Sequence, residues 1–554
     1  MTSTFDLSPP SNNIYSHNLL NNQDQPSQPS LPLYETVLSH MKSLITQYLS
    51  LNLHTNALFY AEKSLNFSLN HNLTDVSDNI YDLAYCLYLN KEYSRCVNLI
   101  QKYNMPYYNL KFLILLGEAL FSCEDYEGVI TFLEKESISF ESPITNDKHT
   151  NNFLTSIRYL LLAKAYEMQE NKQLAIKNYI LSLQYDASNI EAFDTLINHH
   201  LLSLEQRNDL LTGIQFQPEN MWLNDYYLSK INDNIYMTSK SEVEYNDEKN
   251  NVLDILYKNN DQDLLQMEAE KCFIARDFNN AYLLLKKLNE DDFYNLKIIP
   301  MLCSCLIELD KVGDLYPLAY KLANNCSEKF ISWYAVGCYY YSIKKYDMSR
   351  KYFLKCNQLN KNFPESWIAL GNCYAGQDES DQALSSYRTC LRLFPGCHCS
   401  NLYIGMEFIR TNNFKTAFAM FQNALLLSNN DPLVYNEIGV VYYKQRKYVE
   451  AETSFKKGIE LCNEDKSKTA QTLMINLGNC YRKMNKLNEA FEIYERLYYI
   501  DSKNVDVLNC LGYTLSLVGN YSAALEYFHK ANFIKSNDIF AIEMINKCIN
   551  DMNE

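Results

Sequence analysis

Apolar residues recur at helical spacing along almost the whole chain. From Leu33 onward they stand at positions i, i+3, i+4 and i+7, which places them on one face of a helix. Leu160, Ala163 and Tyr166 lie on one such stretch. Turns rich in Asn and Asp separate these stretches, each of which is roughly 12–15 residues long. The pattern therefore predicts a chain of consecutive amphipathic helices.

Polar segments interrupt this pattern and suggest a division into domains. Residues 1–32 are rich in Asn, Ser, Pro and Gln, which is typical of a flexible tail. The periodicity fails again at 231–251, and a smaller polar insert covers 142–152. We therefore expect a tail at 1–32, an N-terminal helical array at 33–230, a polar insert at 231–251 and a C-terminal array at 252–554. A helix at 539–550 is expected to cap the second array.

A period of 34 residues runs through the C-terminal part of the chain. Six glycines share one phase, with a five-residue slip after the fourth; they are Gly337, Gly371, Gly405, Gly439, Gly478 and Gly512. Small residues stand twelve positions after them, namely Ser349, Ala383, Ala417, Ala451, Ala490 and Ala524. Aromatic residues follow four positions later, namely Phe353, Tyr387, Phe421, Phe455, Tyr494 and Phe528. Glycine inside a helix costs about 0.5–1 kcal/mol relative to alanine, so its fixed phase predicts close helix packing.

This period resembles the tetratricopeptide repeat (TPR), a pair of antiparallel helices. The best copy runs from Trp367 through Gly371 to Tyr374 and continues with Ala383 and Pro395. Weaker copies lie in phase around Ile45, Ala84, Gly117, Ala163, Ala269 and Cys303. We therefore predict an all-α fold, a TPR superhelical solenoid of about twelve or more helix-turn-helix repeats, in which each repeat buries its apolar face against the next.

Composition agrees with this fold and excludes several classes of protein. Only 14 Gly and 13 Pro occur in 554 residues, too few for an all-β chain with frequent turns. The net charge of −16 and the lack of basic runs argue against nucleic acid as a partner. No apolar run is long enough to span a membrane, and the first residues lack a signal peptide. The 17 scattered Cys fit a reducing compartment, so we expect a nuclear and cytoplasmic protein.

Few residue groups suggest catalysis or metal binding. Cys303–Cys305 and Cys397–Cys399 are the densest thiol groups, and neither has the paired spacing of a zinc site. His199 and His200 have no companion motif for a metal. Phosphate-binding and nucleophile-elbow motifs are absent from the sequence. We expect no catalytic residue, no metal and no cofactor. An enzyme with an overlooked catalytic part is the rival interpretation, and repeats that continue to within about twenty residues of the end argue against it.

The concave face of the array is the candidate binding surface. In a TPR array the first helix of each repeat, helix A, lines this face at fixed distances from the in-phase glycine. The candidate residues are Tyr334, Tyr341, Ile368, Asn372, Leu402, Met406, Asn436, Tyr443, Asn479, Arg482, Asn509 and Tyr513. Asn side chains can hydrogen-bond to a peptide backbone, and Tyr and aliphatic side chains suit an apolar or helical peptide. Each single Asn could equally form hydrogen bonds between repeats, whereas the four together favour a ligand. Because Lys is absent three positions before each of the six glycines, a clamp for the carboxylate of a chaperone tail is not expected.

Several stretches resemble one TPR family more specifically. They include Phe363–Ala369, Gly396–His398, Leu402–Phe408, Asn476–Lys483 and, near the start, Ala57–Lys63. These resemble the cell-division-cycle sixteen-type TPR subunits of the anaphase-promoting complex, or cyclosome, across about residues 35–545. Gly396–His398 is the most specific marker because it is not a TPR feature, and it suggests that His398 lies in a turn between repeats.

The resemblance implies a non-catalytic scaffold of a multisubunit ubiquitin ligase that controls mitosis. Such a scaffold would homodimerise through its N-terminal repeats and hold a peptide of a small accessory subunit in its C-terminal groove. It would also contact other TPR and cullin-like cyclosome subunits. A TPR scaffold or adaptor of another cytosolic or nuclear assembly is the alternative interpretation.

Overall fold

The structure is a computed structural model that describes residues 31–70, 76–105, 109–134, 148–202, 204–217, 220–231, 262–462, 467–536 and 538–553. Within these ranges it contains 28 α-helices and no strand. The all-α prediction is confirmed. Most of the expected tail (1–30) and most of the polar insert (232–251) lie outside the described residues.

The chain divides into two compact units, residues 1–144 and 145–554. The described helices of the first unit are α1 Leu31–Ser50, α2 His54–Asn70, α3 Val76–Leu89, α4 Tyr93–Lys102, α5 Leu110–Ser122 and α6 Tyr126–Leu133. Helix α1 thus includes the last two residues of the expected tail, 31 and 32.

The second unit begins with α7 Lys148–Met168, α8 Lys172–Tyr185, α9 Ile190–Asn198, α10 Leu204–Thr212 and α11 Met221–Ile231. The expected polar insert at 142–152 is therefore helical from Lys148. After residue 261 follow α12 Gln262–Ile274, α13 Phe278–Asp291, α14 Ile299–Glu308, α15 Val312–Asn325, α16 Phe330–Ser342, α17 Tyr346–Leu359, α18 Pro364–Gly376, α19 Ser380–Leu393 and α20 His398–Arg410. The remaining helices are α21 Phe414–Leu427, α22 Pro432–Lys444, α23 Tyr448–Glu460, α24 Lys468–Lys483, α25 Leu487–Ile500, α26 Val505–Val518, α27 Tyr521–Ile534 and α28 Ile539–Asn553.

The turn that joins the two helices of a repeat has a recurring geometry. The seventh residue after each in-phase position has a left-handed backbone, with φ between 54° and 65° in eleven described turns and 89° at Gly519. These residues are Asn52, Lys91, Glu124, Glu170, Arg276, Asp310, Lys344, Asp378, Asn412, Arg446, Asn485 and Gly519. Such a residue ends a helix and lets the next amide bond back, as Lys345 N does to Tyr340 O at 3.0 Å. Twelve described turns of this kind confirm about twelve repeats.

The in-phase glycines lie against aromatic rings of the second helix of their own repeat, helix B. A Cβ atom at any of the six would lie 2.2–2.8 Å from a ring atom of the aromatic residue sixteen positions later. The five in-phase alanines, Ala383, Ala417, Ala451, Ala490 and Ala524, are fully buried. Ser349, which takes the place of the alanine in the repeat at Gly337, donates a hydrogen bond to Gly337 O at 2.8 Å. Glycine is therefore required mainly by the aromatic ring sixteen positions later, and less by the small residue twelve positions later.

The described cysteines and helices give two further results. All 17 Cys are free thiols, and eleven of them are buried among the apolar side chains of the core. None of the described helices combines the length and the apolar character that a membrane span requires.

Candidate peptide-binding groove

Nine of the twelve candidate groove residues are partly exposed, and three are buried. Tyr334, Leu402 and Asn436 are only 4%, 0% and 5% exposed. The Tyr334 ring packs against Phe353 and Phe363, with ring centroids 5.6 and 5.1 Å away. These three side chains belong to the packing between helices in this conformation. The partly exposed candidates are Tyr341, Ile368, Asn372, Met406, Tyr443, Asn479, Arg482, Asn509 and Tyr513.

Asn372 and Asn479 each accept a hydrogen bond within their own repeat. The Tyr387 hydroxyl donates to Asn372 Oδ1 at 2.7 Å, and the Tyr494 hydroxyl donates to Asn479 Oδ1 at 3.0 Å. In both repeats Asn follows the glycine by one residue and Tyr follows it by sixteen. The other four strong repeats have Phe at the second position and no Asn at the first. The carbonyl oxygens of these Asn side chains are therefore part of the repeat structure.

The other two groove asparagines also have partners in the protein. Asn436 donates to Glu437 and accepts from Asn476, both at 2.9 Å. Asn509 donates through Nδ2 to Asp538 Oδ2 at 2.7 Å. Its Oδ1 atom is buried and has no hydrogen-bond partner in the described structure. This oxygen has an unused capacity to accept a hydrogen bond, and a ligand reaches it only when the groups that cover it move.

Aromatic and cationic side chains follow the asparagines toward the C-terminal end of the array. The Arg482 guanidinium lies 4.5 Å from the centre of the Tyr513 ring, a cation–π arrangement, and donates to Asn479 Oδ1 at 3.0 Å. The Tyr443 ring packs edge-on against Tyr448 at 5.6 Å. These contacts fix the orientation of flat, partly exposed ring surfaces.

Two buried carboxylates were not predicted from the sequence. Glu365 Oε2 and Glu407 Oε2 are buried without a hydrogen-bond partner in the described structure. Burial raises the pKa of Glu365 from 4.5 to about 7. The Arg410 side chain donates to the other oxygen of Glu407 at 3.1 Å and to Ala375 O of the preceding repeat at 2.9 Å. Acidic residues are common on helix surfaces, so no sequence pattern distinguishes these two from exposed carboxylates.

The segment Cys397–Cys399, at the start of α20, packs against the core and does not form a metal site. Cys397 is buried with Cys390 and Phe394 in one apolar cluster. His398 Nε2 lies 3.3 Å from Asp431 Oδ2, and His199 Nδ1 lies 2.7 Å from Glu167 Oε1. Among the described residues, no three His, Cys, Asp or Glu side chains are placed to hold a metal ion. Both histidines thus have carboxylate partners within the fold, and His398 begins helix α20 after the turn at Gly396.

Parts of the chain match known protein families. Residues 50–136 match the family model described as "Anaphase-promoting complex, cyclosome, subunit 3". Tetratricopeptide-repeat models match residues 331–363, 364–397 and 430–503. The chain is also similar in fold to a solved structure described as "APC/C hetero-tetramer Cut9-Hcn1", with a TM-score of 0.73, 24% identity and coverage of 92% of this chain and 96% of that chain. The TPR solenoid prediction is confirmed by these matches.

Two curated relatives cover almost the whole chain. "Anaphase-promoting complex subunit 6" of Arabidopsis thaliana is 32% identical over 534 residues, which cover 93% of this chain and 97% of that protein. "Cell division cycle protein 16 homolog" of Homo sapiens is 29% identical over 92% of this chain and 84% of its own length. The chain therefore belongs to the subunit 6/CDC16 family of TPR subunits of the anaphase-promoting complex.

Proposed function

We propose that this chain homodimerises through its N-terminal repeats and holds a peptide of a small accessory subunit in its C-terminal groove, as a non-catalytic scaffold in the cyclosome. Contacts with other TPR and cullin-like subunits, and a nuclear and cytoplasmic location, belong to the same proposal. The observation that carries it is that each of six successive repeats has at least one partly exposed candidate side chain at one of three fixed distances from its glycine. The described hetero-tetramer of Cut9 with Hcn1 supports two kinds of subunit in the assembly of a relative.

The chemistry of the groove favours a peptide with apolar side chains and available backbone groups. Ile368, Met406 and Tyr443 are partly exposed and can cover apolar ligand surface. The Asn509 Oδ1 atom, which is buried without a hydrogen-bond partner, can receive a backbone N–H once a ligand displaces the groups that cover it. An extended or helical segment that lies along helices α18 to α26 would meet both kinds of group.

The first unit exposes apolar side chains that support a dimer. Leu51, Leu53 and Phe59, around the turn between α1 and α2, are 67%, 44% and 54% exposed. A cluster of large exposed apolar residues is typical of an interaction surface. Light scattering of the full-length chain should therefore give twice its mass of 64.7 kDa at micromolar concentration. A particle of single-chain mass would contradict the dimer.

The groove is tested with a pair of variants that separates binding from packing. Tyr494→Phe removes one hydroxyl and reproduces the Phe found at this position in other repeats. Adding Asn479→Ala then removes the amide without leaving the tyrosine hydroxyl unpaired. We expect the double variant, expressed in dividing cells, to retain about tenfold less of the small accessory polypeptide than Tyr494→Phe alone. Equal recovery in both variants, with unchanged recovery of the large subunits, would remove Asn479 from the binding surface.

A further inference from the structure

Two stretches of the second unit that are far apart in sequence touch at three places. On one side lie residues that follow helix A in early repeats, and on the other lie residues at the start of helix A in later repeats. The contacts join His200 to Gly396, Arg276 to Asp431, and Asp310 to Lys468. Stacked repeats otherwise contact mainly their neighbours in sequence, so such contacts are additional ties.

Two of these contacts join residues that are separated by the same number of repeats. Arg276 lies in the turn of the repeat at Ala269, and its partner Asp431 precedes Gly439, five repeats later. Asp310 lies in the turn of the repeat at Cys303, and its partner Lys468 precedes Gly478, again five repeats later. Two successive pairs with the same offset are what a regular superhelix produces when one turn rests on the next.

Gly396 makes the closest of these contacts. Its amide donates to His200 O at 2.7 Å. A Cβ atom at this position would lie 2.5 Å from both His200 O and Leu202 O, and both are backbone atoms that cannot rotate away. The φ angle of Gly396 is not in the left-handed region, so the glycine serves this approach and not the turn. Any side chain here would force the two stretches apart.

Arg276 and Asp431 form a buried ion pair at the second contact. Arg276 Nε and Nη2 donate to the two carboxylate oxygens at 3.2 and 2.9 Å, and the side chains are only 14% and 2% exposed. His398 lies on the same carboxylate at 3.3 Å. Burial alone would raise the pKa of Asp431, but Arg276 and the hydrogen bond from His398 outweigh it and hold that pKa well below its usual range. The carboxylate is thus charged and bound on both sides.

We propose that these contacts form a latch, defined by His200, Arg276, Gly396, His398 and Asp431, which fixes the pitch of the solenoid. A repeat array with nearest-neighbour contacts alone stretches and twists at small cost, because each interface adds a small rotation. Ties across five repeats remove that freedom for all the helices between them. The latch therefore holds helices α13 to α21, which lie between Arg276 and Asp431, in one curvature before any partner binds. This inference does not depend on the identity of the partner.

The test measures distance across the latch in the full-length chain. Spin labels are placed through unnatural amino acids at Tyr294, in the loop after α13, and Val449, in α23, which are 63% and 65% exposed. Asp431→Asn removes the charge but keeps an acceptor for Leu433 N, which Asp431 Oδ1 now meets at 3.0 Å. Gly396→Ala disrupts the backbone contact between Gly396 and His200 and leaves both side chains of the ion pair unchanged.

The matched control is Asp310→Asn, because Asp310 and Lys468 are 84% and 60% exposed and an exposed pair contributes little. The latch predicts one narrow distance in the wild type and in this control, and a broader, longer distribution in Asp431→Asn and Gly396→Ala. Hydrogen exchange at the Gly396 amide should rise at least about tenfold in Asp431→Asn. Wild-type distances in both latch variants would overturn the proposal. Loss of helical signal in both would also overturn it, since the contacts would then serve folding and not pitch.

Discussion

Replacing Gly371 with alanine tests the packing of a single repeat. The new Cβ atom would lie 2.2 Å from Tyr387 Cε1, well inside the separation of about 3.5 Å at which carbon atoms pack. The ring cannot swing away, because Tyr387 is 1% exposed and its hydroxyl is bound to Asn372 at 2.7 Å. Helices α18 and α19 must therefore separate by about 1 Å, and overpacking of this kind costs about 1–3 kcal/mol.

The net effect on stability follows from two opposing contributions. Alanine is favoured over glycine inside a helix by about 0.5–1 kcal/mol, so the overpacking is only partly offset. We expect the free energy of local opening of α18 and α19 to fall by about 1–2 kcal/mol, measured by native-state hydrogen exchange of the full-length chain.

Gly313 provides the matched control for this substitution. It lies in the first turn of α15 and has no atom within 4 Å of its would-be Cβ. Gly313→Ala should therefore be neutral or stabilise α15 by up to about 1 kcal/mol. If Gly371→Ala also proved neutral or stabilising, the close approach of ring and glycine would not be what fixes glycine in this phase.

Three other substitutions test separate features. Glu365→Gln should be more stable than the wild type by about 1–3 kcal/mol at pH 8 and equal to it in stability below pH 4.5. The reason is that the pKa of the Glu365 carboxyl is raised from 4.5 to about 7, so the wild type loses stability as the pH rises between those values. Equal denaturation midpoints of the two proteins at both pH values would contradict this. Asn372→Ala should lower the free energy of local opening of its repeat by about 1–3 kcal/mol, because it leaves the Tyr387 hydroxyl unpaired. Adding Tyr387→Phe to this variant should recover most of the loss. If hydrogen exchange showed no such recovery in the double variant, the hydrogen bond would not be what stabilises the repeat. Gly519→Ala should destabilise the last repeat by about 1 kcal/mol through its φ of 89° alone, since nothing lies within 4 Å, and an unchanged exchange rate in α26 would count against that.

The repeat architecture could be predicted from the sequence because its causes are local and periodic. The 34-residue phase of Gly337 and its successors marks both the ring contact and, seven residues later, the left-handed turn. The hydrogen bond between Asn372 and Tyr387 was not predicted, although the sequence carries a signal for it: among the six strong repeats, Asn directly follows the glycine only in the two that have Tyr sixteen residues after the glycine. Its meaning became clear only from the hydrogen bond.

The remaining features depend on how the array curves, which no local pattern encodes. Arg276 and Asp431 are 155 residues apart, and neither has an unusual neighbourhood in the sequence. Tyr334 and Leu402 stand at the repeat positions expected to line the groove. Their side chains are nevertheless buried between helices, because neighbouring repeats offer apolar surface there. The sequence singles out Gly396 as a marker of the family, whereas its close contact with His200 is seen only in the folded structure.

Affinity purification of the tagged full-length chain from dividing cells, followed by native mass spectrometry, tests the central claim most directly. The account predicts a large complex that contains two copies of the chain, other TPR subunits, a cullin-like subunit and a small accessory polypeptide. A chain that elutes alone, or with the subunits of another assembly and no cullin-like protein, would contradict it.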